Sequence, residues 1–591
     1  MEFEQILHKI GGFGFFNKTI MMTVLVLGTW HTSLIFLSHF FILIPPPNQW
    51  CFLNHTWSGF PNLTTLVKGK CQMVTSLLDD DYANASFLRR DDVKCPSEWI
   101  YDKTEFFTTI TMENQWMCSD SWKMYAVHSI YWLGSMSGYL ISGFLADRIG
   151  RKKMILILTV IGGCANLAGT FFTELVGFMV TRYFTGMGSC TVCTAVFVVV
   201  MEYTIPERRT LIPFVWASSW AILSCVYPWY AYLLQSWRGL LLTNACMDVA
   251  LLFVLYWVPE SSRWLVSVGR NKEAVAILVR VSRINGKAVD KDCITELLQV
   301  SPPGTQIFST SKEQDVSGFF KATLAIMRSR RIRKFTFLIY TAWFAISLCY
   351  NAGTLELGRL GLNIYTTFSI AVAFEFPVYI VCILAVDTLG RRWPNVFFMF
   401  TGGVVCLAMS LLRTESDLWT LVMAVMSIMS FAGGCSITYQ LASEIFPTVI
   451  RARSVLLLRL VGDIGGLLGA QVTSLAEHDK YLPILVMGAV SLMASLLLFF
   501  LPDTVNHPMP QTMEDGENLA RDQSLWFCPA LAKRTSKKPL HLYQLCEGPP
   551  TCLGVPFASS VHEDGISGNL DKQESYLKLS DKADTDTEHT S

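Results

Sequence analysis

Charge is scarce in this sequence. Of its 591 residues, 16% are Asp, Glu, Lys or Arg and 51% are hydrophobic. Soluble proteins carry about 25% charged residues, so much of this chain is built to face something other than water. The charges also cancel, Lys+Arg 47 against Asp+Glu 47, which leaves no basic footprint for a nucleic-acid partner. Zinc-ligand spacing, a glycine-rich phosphate loop and a catalytic-triad signature are all missing from the sequence, so no cofactor, catalytic residue or metal ligand is expected. A soluble enzyme, a secreted disulfide scaffold and a disordered chain are thereby excluded. A cleavable signal peptide is not expected either, because residues 1–18 are mixed and the first apolar run exceeds an h-region.

Long apolar runs are what the sequence does have. A bilayer-crossing helix needs about 20 mostly apolar residues. Runs of that kind lie at 19–44, 124–146, 154–173, 176–201, 211–234 and 239–258, then at 336–356, 365–386, 395–413, 417–440, 454–476 and 481–501. The expectation is an all-α polytopic membrane protein with twelve transmembrane helices in two six-helix bundles. The parts read as a cytoplasmic N-terminus (1–18), a first span (19–44), an outer loop (45–120) and the rest of the N-terminal bundle (121–258). A cytoplasmic linker (259–335), a C-terminal bundle (336–502) and a largely disordered cytoplasmic tail (503–591) follow. The end of that tail, Ser580 to Glu588, is polar and acidic, as solvated segments are.

Basic loops orient the spans. Arg148, Arg151, Lys152 and Lys153 follow span two, Arg208 and Arg209 follow span four, and Arg328 to Lys334 precede span seven. Arg391 and Arg392 follow span eight, and Arg451 to Arg453 follow span ten. With alternating topology all fall on one side, the cytoplasmic one, and both termini lie there too. The 45–120 loop is then outside, and it holds three N-glycosylation triplets, at Asn54, Asn62 and Asn84. Asn17-Lys18-Thr19 also matches but falls inside. The same loop carries Cys51, Cys71, Cys95 and Cys118, an even set in an oxidising compartment, so two disulfides are expected in any of three pairings. The other cysteines read as small buried hydrophobes.

The two halves repeat their punctuation. Asp147-x-x-Gly150-Arg151-Lys152 recurs 240 residues later as Asp387-x-x-Gly390-Arg391-Arg392, and Glu202 with Arg209 recurs 242 residues later as Glu444 with Arg451. Two markers at nearly one offset indicate duplication of a six-helix unit. Parallel repeats about an axis along the membrane normal are a transporter architecture, with the substrate at the midplane between the repeats. The clustered charges could form ion-pair latches between helices, made in one conformation and broken in another. Anchoring of loops at lipid headgroups is the plainer alternative for any one of them.

These residues resemble a known family. Gly143-Phe-Leu-Ala-Asp147-Arg-Ile-Gly150-Arg151-Lys152-Lys153 resembles the loop signature of the major facilitator superfamily. More narrowly, the chain resembles solute carrier family 22, the organic cation, anion and carnitine transporters. The resemblance rests on Gly12-Phe13-Gly14, Cys95-Pro96-Ser97-Glu98-Trp99, Pro259-Glu260-Ser261-Ser262-Arg263, Glu375-Phe376-Pro377, Ser443-Glu444-Ile445-Phe446-Pro447 and Leu501-Pro502-Asp503-Thr504. It implies alternating access, a central polyspecific cavity, transport of small organic ions across the plasma membrane, and a gating network. That network comprises Asp147, Arg148, Arg151, Glu202, Arg209, Glu260, Asp387, Arg391, Glu444 and Arg451. Two positions depart from the family pattern: Ser262 stands where a Pro is usual, and Asp503 where a Glu is usual. The first puts the local helix start in question.

Ionisable residues deep in a span mark function by default. Glu375 lies about 18 Å from the Asp387 end of span eight, and Asp463 about 14 Å into span eleven, at 1.5 Å per residue. Two acids near the midplane favour cations. Arg459 lies one turn before Asp463; if the two pair, span eleven contributes no net charge and a neutral or zwitterionic substrate fits. Trp220, Trp343, Phe344, Tyr350 and Asn351 could complete the cavity, since Trp and Tyr faces attract organic cations; packing is the plainer role for each aromatic alone. His31 and His128 read as packing histidines rather than a proton relay. By resemblance, organic cation transporters carry an Asp at the position of Asp463, where anion and carnitine transporters carry Arg. The leading expectation is a plasma-membrane transporter of small organic ions, cations favoured, with the lipid bilayer and the substrate as its partners. A carrier of neutral, zwitterionic or anionic solutes and a non-transporting receptor on a transporter fold are the alternatives.

Overall fold

Among the described residues, twelve long helices carry the body, numbered here in chain order. The first half holds α1 (Phe15–Phe41), α2 (Trp122–Ile149), α3 (Arg151–Gly169), α4 (Leu175–Tyr203), α5 (Leu211–Leu234) and α6 (Trp237–Trp257). The second holds α7 (Arg330–Leu357), α8 (Ile364–Ala373 with Glu375–Leu389), α9 (Arg392–Leu412), α10 (Asp417–Ile445), α11 (Thr448–Ser474) and α12 (Leu482–Phe499). The computed structural model describes residues 2–46, 49–57, 60–68, 99–101, 108–117, 120–205, 208, 211–287, 289, 291–299, 326, 328–358, 363–413, 416–505, 510, 512–521, 523, 524, 526, 527 and 529. All fall within one compact unit, Met1–Gln544.

Eleven of the twelve helices are long and apolar enough to cross a membrane. The exception, α2, has the length but is diluted by Ser, Gly, Tyr and His. It tolerates this because α4 covers one face and α11 of the other half covers another. Glycine permits the first contact: a Cβ on Gly134 would strike the Tyr183 carbonyl, and one on Gly186 the Tyr131 carbonyl. Small residues let helix backbones touch in this way where lipid supplies no hydrophobic drive.

Within the first half, α1 packs on α4, α5 and α6, and α3 on α4 and α6; within the second, α7 packs on α10, α11 and α12. The halves meet along α2–α11 and α5–α8. Helix α8 is interrupted at Phe374. Pro377 explains the break, because it lacks an N–H and its ring crowds the carbonyl four residues back, that of Ala373. The interruption leaves Glu375 in the first turn of the second piece.

Outside the helical body, strands Gln49–Trp57, Phe60–Lys68 and Trp99–Tyr101 form a small antiparallel sheet. Asn54 and Cys51 fall on the first strand and Asn62 on the second. Cys71, Asn84, Cys95 and Cys118 lie outside the described residues. At the same end, Glu113 takes two hydrogen bonds from Arg238, at 2.8 and 2.6 Å, and one from the Trp237 indole at 2.8 Å. The Arg238 bonds hold the Glu113 carboxyl below the usual carboxylate range.

The polar stretches are partly helical. They hold the helices Glu2–Lys9, Ser262–Ser267, Asn271–Ile284 and Lys291–Gln299, and Asn285, at the end of the third, ties it to the N-terminal segment by accepting from the Phe16 N–H and donating to the Ile10 carbonyl. Asn17 is buried and bonded to the Tyr203 carbonyl. Ser262 does not spoil the helix start, since Ser261 caps it by accepting from the Trp264 N–H. The expected disordered tail begins with order instead: Met513–Asn518 is a helix with a Thr512/Asp515 capping box, and Glu517 accepts from the Ser329 hydroxyl. The physical reason is a Thr-x-x-Asp start signal that satisfies two helix-end N–H groups. Ser580 to Glu588 lie outside the described residues.

Candidate functional site

The carboxylate of Asp463 sits on the seam between the halves. It is 7% exposed, and its Oδ2 accepts a 2.6 Å hydrogen bond from the Ser135 hydroxyl of α2. Helix α11 reaches the seam because it is lined with glycine. A Cβ on Gly466 would meet the Trp132 indole of α2 at 2.7 Å, and one on Gly465 the Phe344 carbonyl of α7 at 2.6 Å. The Ser347 hydroxyl of α7 donates to the Gly462 carbonyl at 2.7 Å.

Arg459, one turn from Asp463, turns elsewhere. Its guanidinium lies 4.7 Å over the Tyr439 ring of α10, and its Nε is buried without a hydrogen-bond partner. Trp343 packs 6.0 Å from that same ring, against Gly462, with its indole N–H unpartnered. Among the described residues, then, the carboxylate's hydrogen bond comes from a neutral hydroxyl and the arginine lies over an aromatic face.

Glu375 forms a second cluster. It is 1% exposed, and its oxygens accept from the Tyr350 hydroxyl of α7 and the Tyr379 hydroxyl of its own helix, both at 3.2 Å. Trp220 of α5 lies within reach of the Tyr350 hydroxyl and 5.5 Å from the Phe36 ring of α1. Asn351 donates to the Ser347 carbonyl at 2.8 Å, and its own Oδ1 is unpartnered. Cys435 lies within electrostatic reach of both Glu375 and Arg459, and so links the two clusters. Tyr379 could have been found from its i+4 spacing to Glu375. Ser135 could not, because α2 is rich in Ser and Gly and no pattern says which one faces α11.

The duplicated loop residues assemble inside each half. In the first, Arg151 reaches Asp147 at 3.0 Å and Glu202 at 3.6 Å, while Glu260 accepts the Lys152 and Ser261 N–H groups, both at 3.0 Å. In the second, Arg391 reaches Glu444 at 3.1 Å, and Asp503 accepts the Arg391 and Arg392 N–H groups at 3.3 and 3.4 Å. Gly150 and Gly390 have positive φ, 103° and 89°, and a Cβ on either would strike Glu260 or Asp503. Asp503 is thus the counterpart of Glu260, a role its sequence position had not suggested. Arg451 donates to the Phe446 carbonyl at 3.1 Å. Asp387 falls on α8, and Arg148 at the end of α2. Arg209 lies outside the described residues.

The first half also buries a network that sequence reading missed. His31 Nε2 lies 2.6 Å from Asp248 Oδ1, Asn166 donates to Asp248 Oδ2 at 2.9 Å, and Thr185 donates to Asn166 at 3.2 Å. His128 packs 4.5 Å from His39.

Two six-helix halves meeting at buried polar groups, with the same carboxylate, arginine and glycine set at the end of each, define a membrane transporter of the major facilitator type. The fold itself is shared with the proton:xylose symporter XylE of E. coli, with a TM-score of 0.53, 16% identity, and coverage of 85% of this chain and 99% of that one. The family model described as "Sugar (and other) transporter" matches residues 97–515, and the chain belongs to that family. It is 28% identical to solute carrier family 22 member 7 of Bos taurus, over 89% of this chain and 98% of that protein. It is 29% identical to organic cation transporter 1 of Caenorhabditis elegans, over 75% and 76%. The motif resemblance to solute carrier family 22 is borne out by these relatives. The protein is a multi-pass transporter, not an enzyme.

Proposed function

We propose that this protein carries small organic ions across the plasma membrane by alternating access, and that it prefers cations. The observation that carries the preference is the Asp463 carboxylate, buried between the halves and hydrogen-bonded by the neutral Ser135 hydroxyl. A hydroxyl satisfies one oxygen without neutralising the charge, and Arg459, though within electrostatic reach, lies over the Tyr439 ring rather than against the carboxylate; in a partly dehydrated site a carboxylate attracts an ammonium far more strongly than in water. Trp343 and Tyr439 offer aromatic faces near it, and Tyr350 one near Glu375, which suit organic cations. Glu375 adds a second acid. Rearrangement of the Arg151 and Arg391 ion pairs accompanies the change between inward and outward access.

One observation supports a second reading. Arg459 stacks on Tyr439 one turn from Asp463, so a zwitterion could place its carboxylate on Arg459 and its ammonium on Asp463. Uptake of labelled cations, zwitterions and anions by expressing cells separates the two. Cation uptake that falls strongly in Asp463→Asn, at unchanged surface level, is the expected result; robust uptake of a simple dianion by the unmutated protein would defeat the reading. Both termini are cytoplasmic in this scheme, with glycans on Asn54, Asn62 or Asn84 and disulfides among Cys51, Cys71, Cys95 and Cys118. Glycosidase treatment of surface protein should then lower its apparent mass, and an unshifted band refutes that topology.

A further inference from the structure

Arg182 of α4 is a cation with nothing to hold it. It is 0% exposed, and all three of its guanidinium nitrogens lack a hydrogen-bond partner. Its Cζ lies 5.1 Å over the Phe178 ring, and its Nη2 occupies the space a Cβ on Gly169 would fill, at 2.7 Å. Gly169 ends α3, so the guanidinium stands at the negative end of that helix dipole, worth about half a charge. Half a charge does not neutralise a whole one, and no carbonyl there accepts a hydrogen bond. Other buried arginines are treated differently: Arg392, for example, donates to the Leu501 and Phe527 carbonyls.

An arginine stays charged in any protein environment, and burying it unpaired is strongly unfavourable. Among the described residues, no acid pairs with it. Asp248, the buried carboxylate of the same half, packs against Gly163, six residues or about 9 Å along α3 from Gly169. Its oxygens are already taken by His31 and Asn166.

Within electrostatic reach of the guanidinium is a second unsatisfied donor. His39 of α1 is fully buried with both ring nitrogens unpartnered, is stacked 4.1 Å from Tyr131 of α2, and lies within reach of the Arg182 charge. A neutral imidazole carries one N–H. One acceptor placed between Arg182 and His39 would satisfy both residues and neutralise the charge.

We propose that a chloride-like monovalent inorganic anion binds inside the first half, held by the Arg182 guanidinium and the His39 N–H. It pins α1 to α4 and serves as a structural counter-ion, separate from the substrate seam at Asp463. Phe178, Tyr131 and Gly169, which wall the site, are all buried, and this restricts the occupant to a small ion.

The test uses the purified full-length protein in detergent. Its unfolding temperature is followed as sodium gluconate is exchanged for sodium chloride at fixed ionic strength. A ligand that binds only the folded state raises that temperature along a saturable curve, and that is the expected result, with bromide acting likewise. Arg182→Met should abolish the chloride response, and His39→Phe should raise the half-saturating concentration several-fold. Equal unfolding temperatures in chloride and gluconate overturn the site, leaving a guanidinium solvated by buried water. A response retained in Arg182→Met, or unchanged in His39→Phe, also overturns it by locating the anion elsewhere. If acetate stabilises and chloride does not, the occupant is a carboxylate and the proposal fails. Should Arg182→Met not fold, the unmutated protein and His39→Phe still decide.

Discussion

The two halves carry the same loop residues but close them to different degrees. In the second half Glu444 is saturated: Arg391 grips it with Nε at 3.1 Å and Nη2 at 3.2 Å, Gln440 donates at 3.1 Å, and the Thr504 hydroxyl donates as well. In the first half Glu202 has the Arg151 Nε at 3.6 Å, and its other oxygen is buried without a partner. The cause is traceable. Thr504 follows Asp503, and its equivalent 243 residues earlier is Ser261, which follows Glu260. Ser261 instead caps the helix Ser262–Ser267 by accepting from the Trp264 N–H. The duplicated motif is thus closed by an extra hydroxyl in one copy, while the corresponding residue of the other copy starts a linker helix. On the reading proposed above, in which these ion pairs rearrange during transport, the first half is the looser latch and the one that opens at less cost.

The difference can be broken from its stronger side first. Arg391→Ala leaves the Glu444 carboxylate buried beside only a hydroxyl and an amide, at a cost of roughly 3 kcal/mol; surface expression should collapse and the unfolding temperature should drop. A variant that reaches the surface normally and keeps its stability would show that the second latch is not the tight one.

The contact joining the halves gives the next effect. Ser135→Ala removes the neutral donor on Asp463, a hydrogen bond to a charged group worth roughly 1.5 kcal/mol. If a cation must displace that hydroxyl, apparent cation affinity should rise up to about tenfold, on the same scale. An unchanged half-saturating concentration, at equal surface level, would mean that the substrate never meets Asp463.

The looser latch should respond less. Arg151→Ala gives up a long 3.6 Å contact to Glu202 and a part-exposed pair with Asp147 one turn away, so it should cost about 1 kcal/mol and should lower maximal uptake while leaving apparent affinity alone. A change confined to affinity would place Arg151 in the substrate path and erase the distinction between the latches.

The smallest effect belongs to Glu113 at the opposite end. Arg238 depresses its carboxyl in the folded state, so its contribution is complete above the unfolded value of about 4.3 and disappears as pH falls through the lower, folded value. Since the pair is exposed on both sides, the contribution is under about 1 kcal/mol. Unfolding temperatures of the unmutated protein and Glu113→Gln should differ slightly at neutral pH and converge in acid; a gap that persists in acid would assign the difference to something other than this ion pair.

Much of the fold was legible because a bilayer imposes a length and a composition on every crossing helix. Eleven helices announce themselves by apolarity, and the repeated Asp-x-x-Gly-Arg loops declare the duplication. Helix α2 is the instructive case: it is diluted by polar and small residues because protein covers two of its faces, and only the packing of α4 and α11 shows why that is tolerated. The candidate site was legible in part. Asp463, Glu375 and Arg459 stand out because ionisable groups inside a span are expensive. Their partners do not, since Ser135, Tyr379 and Tyr439 are ordinary in composition and gain meaning from direction alone.

Sequence by itself determined the membrane class, the two-fold repeat and the buried charges, each of which follows from the cost of placing polar groups in hydrocarbon. It could not decide how those charges are answered. Asp463 and Arg459 sit one turn apart and could have paired; the glycine face of α11 instead brings Trp343 and Trp132 close, sends Arg459 over Tyr439 and leaves Asp463 to a serine of the other half. Nor could it show that Arg182 is left without an acid while Asp248, nearby on the same bundle, is claimed by His31. Pairing among buried groups depends on which helix faces meet, and that is fixed by the packing of distant segments rather than by local pattern.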